Sequence, residues 1–74
     1  MNEEFIKSKV RFRIGEQLRG QREEQGWSVG QVAEMAGIKE KTVEKIEAGV
    51  FNVPLDVLAK VAEVLGCSLT IKTK

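Results

Sequence analysis

Apolar residues recur at helical spacing along most of the chain, and the breaks in that rhythm mark where elements end. Ile6, Val10, Ile14 and Leu18 stand four apart, a stripe that predicts an amphipathic helix continuing through EQLRGQREEQ to Gly26. The same stretch also alternates, with Val10, Phe12 and Ile14 interleaved among Lys9, Arg11 and Arg13 as in an edge strand. The four-residue stripe is the longer pattern and favours helix; a strand over 9–14 is the alternative. Gly15 and Gly20 each weaken such a helix by about 1 kcal/mol relative to alanine. Val29, Val32, Ala33 and Ala36 follow the i, i+3, i+4, i+7 pattern of a second helix running to about Met35. Val43 and Ile46 mark a third helix beginning near Lys39. Leu55, Leu58, Val61, Ala62 and Leu65 form the buried stripe of a fourth, with Pro54 suited to its first turn and Gly66 as its stop. In the final CSLTIKTK, Leu69 and Ile71 alternate with Thr70 and Lys72, which predicts a strand over 68–72. The expected fold class is therefore all-α, about four helices with a short C-terminal β-strand, and 1–74 reads as one domain.

The most informative stretch is 28–48, SVGQVAEMAGIKEKTVEKIEA. Ser28 is a good N-cap, Gln31 follows at capping-box spacing, and Trp27 can close a hydrophobic staple with Val32. Gly37 is the expected left-handed residue between the two helices, because glycine takes positive φ without a Cβ clash. Ala33 is small enough to let the helices cross closely. Glu40, Lys41, Glu44 and Lys45 are left on the outer side of the second helix. Two short helices joined in this way make a helix-turn-helix, whose second helix enters the major groove of DNA.

The spacing Ala33, Gly37, Val43, Ile46, Glu47, Gly49, with Leu18 and Arg22 upstream and LAKVAEVLG (58–66) downstream, resembles the Cro/repressor (Xre-type) helix-turn-helix family. The likeness covers residues 14–66. It implies base contacts from Glu40, Lys41, Thr42 and Lys45, and an Arg22–Glu47 structural pair that is buried or half-buried. Lys41 and Lys45 lie one turn apart on one face and could donate to guanine; Glu40 could accept from cytosine N4, and Thr42 could touch a thymine methyl. Ser28, Gly30 and Gln31 sit at a helix N-terminus, where free N–H groups favour phosphate oxygens. Lys39 and Asn52 complete the expected phosphate contacts. Two positions depart from the family pattern. Val29 stands where relatives often carry glutamine, and Lys39 where a capping serine, threonine or asparagine is common.

Charge and composition narrow the picture. Among 74 residues the net charge is only +1, but the stretch 7–22 carries Lys7, Lys9, Arg11, Arg13, Arg19 and Arg22 against Glu16 alone. Arg11, Arg13 and Arg19 are candidates to lie near phosphate, and a solvated face is the alternative. The chain has no histidine and a single cysteine, Cys67, which leaves little for a metal site, a disulfide or histidine-based catalysis. No catalytic constellation and no cofactor are expected. No apolar run reaches membrane-spanning length and no signal-peptide core is evident, so a cytoplasmic protein is expected. The expected partner is a double-stranded DNA operator bound by a homodimer joined through the C-terminal strand. The alternative function is an antitoxin, because LGCSLTIKTK together with the motif is similar to antitoxins that bind both their operator and a toxin protein.

Overall fold

The computed structural model describes residues 3–66, with side chains from residue 8 onward. Four helices follow one another: α1 (Glu3–Glu24), α2 (Val29–Ala36), α3 (Glu40–Glu47) and α4 (Leu55–Val64). The core they enclose is wholly apolar, and its largest fully buried side chains are Leu18, Ile46, Leu65, Val32, Val43 and Val61. Among the described residues no polar or charged residue is fully buried; the charged groups nearest the core, Arg22 and Glu47, are paired with each other.

The competing patterns at the start of the chain resolve as helix: α1 runs unbroken through 9–14, and Ile14 and Leu18 enter the core. Tertiary burial of that stripe outweighs the poor helix propensity of its two glycines. Val10 only half reaches the core, and Phe12 stays largely exposed on the flank. In α4 Leu58, Val61 and Ala62 are buried as expected, as is Leu65 at its C-cap, but Leu55 is not; 68 % of it is exposed. Leu55 opens the helix one turn before the buried stripe begins, so its side chain lies outside the core. Pro54 is the N-cap of α4 and not a residue of its first turn.

The expectation of helices plus a β-strand is corrected here. The described residues form four helices and no strand, so they fold as an all-α unit. The alternating segment 68–72 lies outside the described residues, as do Cys67 and the intersubunit pairing inferred from that segment.

Two contacts tie the ends of the helices together. Gln25 Nε2 donates to the carbonyl of Leu65 at 2.6 Å, satisfying a carbonyl at the C-terminus of α4. The second is a close crossing of α1 over the end of α3. A Cβ at Gly15 would stand 2.7 Å from the carbonyl oxygen of Glu47 and closer still to that of Ile46. On the other side of the crossing, a Cβ at Gly49 would stand 2.7 Å from Cα of Phe12. Glycines on both partners let the backbones touch where any side chain would hold them apart.

Candidate nucleic-acid interface

Local chemistry sets the two helices of the motif before any long-range packing is considered. Ser28 adopts extended backbone, its Oγ accepts the N–H of Gln31 at 3.1 Å, and Gln31 Oε1 accepts the N–H of Ser28 at 2.8 Å. This is the reciprocal capping box expected from the sequence. Trp27, just before the cap, packs against the core. At the other end Gly37 has φ 70° and ψ 34°, and the N–H of Ile38 reaches back to the carbonyl of Ala33 at 3.0 Å. The left-handed glycine thereby turns the chain into α3 while satisfying carbonyls that α2 would otherwise leave open.

Helix α3 is held from its inner side. Val43 and Ile46 are buried, and Glu47 receives a two-point grip from Arg22. Nε of Arg22 donates to Oε2 at 2.6 Å and one terminal nitrogen to Oε1 at 3.0 Å, while the other terminal nitrogen donates to the carbonyl of Trp27 at 2.8 Å. Both side chains are nearly enclosed, with 13 % and 10 % of their surface exposed. The hydrogen bond to Glu47 holds the guanidinium pKa above its ordinary value; burial opposes this, and the charges of Glu47 and Glu23 reinforce it. One residue thus joins α1, the turn before α2, and α3.

Of the expected base-contact positions, Lys41 and Lys45 fall on the outer side of α3, opposite Val43 and Ile46, with Glu40 and Thr42 on its two flanks. Glu40, Lys41 and Lys45 are exposed, and Thr42 is half-buried. Glu44 is exposed beside them. The carboxylate of Glu40 leans across the helical hairpin onto the first turn of α2, where its Cδ is 3.4 Å from the place a Cβ of Gly30 would occupy. An alanine methyl there would meet it in ordinary van der Waals contact, a neighbourhood invisible in the spacing of the sequence. The position is electrostatically favourable, because the N-terminal end of α2 carries partial positive charge.

Of the expected phosphate contacts, Ser28, Gly30 and Gln31 lie together at that same helix end. The Ser28 hydroxyl and the Gln31 carbonyl oxygen are already engaged in the capping box, which leaves the Gln31 amide NH₂ and the first backbone N–H groups of α2 as donors toward solvent. Lys39 is exposed at the N-cap of α3, and Asn52 is exposed in the loop after it. Asn52 belongs to the loop after α3, whereas Ser28, Gly30 and Gln31 belong to the start of α2.

Lys39 has the extended backbone of an N-cap, φ −78° and ψ 147°, but makes no side-chain cap bond. Lys39→Ser is expected to stabilise the fold by about 1 kcal/mol by satisfying a free N–H of α3. Chemical denaturation of the two proteins measures it, and an unchanged midpoint would show that the end of α3 is already satisfied.

No helix among the described residues is long and apolar enough to cross a membrane. A family model described as helix-turn-helix matches residues 18–72, most of the chain. No curated protein and no solved structure matches it.

Proposed function

Since the chain belongs to the Cro/repressor (Xre-type) helix-turn-helix family, a family of DNA-binding regulators, we propose that it binds a specific double-stranded operator and represses transcription, its own included. The observation that carries this reading is the exposed Lys41 and Lys45 pair on the outer face of a helix whose inner face is locked by Val43, Ile46 and the Arg22–Glu47 grip. Lys41 and Lys45 donate to base edges, Glu40 accepts from an amino-bearing base, and Thr42 supplies an apolar methyl. Ser28, Gly30, Gln31, Lys39 and Asn52 meet the backbone on either side. The whole chain, 1–74, acts as one DNA-binding unit in the cytoplasm, with no catalytic role. It works as a dimer, because one recognition helix reads too few base pairs for useful selectivity and two half-sites about one DNA turn apart supply the rest.

Lys41→Ala and Lys45→Ala are each expected to weaken operator binding by about 1–3 kcal/mol with little change in melting temperature. The operator comes from selecting bound fragments out of random DNA, and titration of each variant against it decides the matter. Unchanged affinity in both would move the reading surface away from α3.

A second reading, an antitoxin that also neutralises a toxin protein, is favoured by one observation. Trp27, Gln31, Glu34 and Met35 line an open groove of about 270 Å³ on the outer side of α2, with Met35 half exposed, and DNA reading leaves its apolar part unused. Co-purification of a co-expressed neighbouring protein separates the two readings.

A further inference from the structure

The loop that follows the recognition helix, VFNVP at 50–54, contains no lysine or arginine. Its backbone nevertheless leaves donors without a described partner, although the Phe51 side chain itself is buried. The N–H groups of Phe51, Asn52 and Val53 donate to no described residue, and the Asn52 side chain is exposed beside them. A cation stands nearby on a different element. Arg11 lies one residue before Phe12, whose Cα abuts Gly49 at the start of this loop. It also lies one turn before Gly15 on the same face of α1, the face pressed onto the last carbonyls of α3. Arg11 is half-buried there and makes no ion pair or hydrogen bond with a described residue. Its neighbours differ. Arg19 pairs with Glu23, Arg22 with Glu47, and Arg13 falls on the far side of the helix by the 3.6-residue period.

We propose that Arg11 and the N–H groups of 51–53 form a phosphate clamp at the C-terminal end of the recognition helix, with α1 supplying the cation that the loop lacks. The clamp rests on the DNA-binding reading above and extends it to a residue outside the matched family region, which begins at residue 18. It places a phosphate contact at each end of α3, the α2 N-terminus at one and Arg11 with the loop at the other. A guanidinium suits this place because its planar fork can donate to a phosphate oxygen while its apolar stem lies on the α1–α3 crossing. The rival role for the same charge is internal, offsetting the partial negative charge at the end of α3.

A random-sequence duplex titrated over a series of salt concentrations separates these roles, because each lost phosphate contact lowers the slope of log affinity against log salt by about 0.9. Arg11→Gln is expected to reduce the slope by about one contact with an unchanged melting midpoint, Arg11→Lys to keep the slope, and Arg13→Gln to change it less. Arg11→Leu, which keeps an apolar stem on the crossing, gives the same reading if the glutamine variant folds poorly. A wild-type slope in Arg11→Gln or Arg11→Leu overturns the clamp, and a lowered melting midpoint beside it assigns Arg11 to the end of α3. If the unaltered chain binds no duplex even at low salt, the DNA-binding reading fails and the clamp with it. Binding by the unaltered chain with an Arg11-independent slope removes the clamp alone.

Discussion

Gly15→Ala is expected to destabilise the fold by about 2 kcal/mol, although alanine is the better helix former. In an isolated helix the change gains about 1 kcal/mol. Here the new Cβ would stand 2.7 Å from the Glu47 carbonyl oxygen and nearer to that of Ile46, both backbone atoms that no side-chain rotation can move aside. Overpacking of this kind costs about 1–3 kcal/mol, and the upper end applies when backbone meets backbone. The difference should lower the melting midpoint of so small a domain by roughly 10 °C. Gly20→Ala is the matched control, on the same helix with nothing within 4 Å of its added methyl. It is expected to raise stability by about 0.4–1 kcal/mol. Thermal denaturation followed by circular dichroism reads both. If Gly15→Ala melts at or above the wild-type midpoint, the two helices do not touch in the way described.

Removing either partner of the Arg22–Glu47 pair is expected to cost still more, about 3 kcal/mol, because the survivor would keep its charge in a nearly enclosed site. Arg22→Ala also strips the donor from the Trp27 carbonyl, so it should be at least as damaging as Glu47→Ala. Arg22→Lys should recover only part of the loss, since an ammonium cannot donate to both carboxylate oxygens and the carbonyl in one plane. Lys60→Ala, an exposed charge on α4, provides the baseline and should shift stability by less than about 0.5 kcal/mol. Near-identical melting curves for Arg22→Ala, Glu47→Ala and Lys60→Ala would reduce the pair to a surface contact. The guanidinium adds no pH dependence near neutrality. A group whose pKa is raised on folding loses its contribution only as pH climbs through that raised value, and for arginine this lies far on the alkaline side.

What was legible in the sequence was what short-range chemistry determines. Ser28, Gln31 and Gly37 announce the ends of α2 because capping and left-handed turns involve residues three or four apart. The stripe of α3 is equally plain, since Val43 and Ile46 are the apolar residues among charged ones. The Arg22–Glu47 pair spans 25 positions and was accessible only through resemblance to a family. Local pattern misses the tertiary role of Gly15. Propensity counts a mid-helix glycine as a cost, and nothing local reveals that a second helix rests on it. The same limit hid the Gln25–Leu65 contact, forty positions apart, and the lean of Glu40 onto Gly30. Periodicity predicts Leu55 in the core because the stripe continues to the end of the helix, whereas Leu55 is exposed. The candidate reading positions on α3 rest on resemblance; the folded chain leaves Glu40, Lys41 and Lys45 exposed and Thr42 half-buried.

Both ends of α2 are closed by hydrogen bonds within the chain, through the capping box at Ser28 and the left-handed turn at Gly37. Such a hairpin arrives at a duplex already shaped, so little conformational entropy remains to be lost on contact. Its association is then governed by diffusion and by the fraction of collisions that present the correct face, and differences in lifetime on different sites fall mainly on the rate of departure.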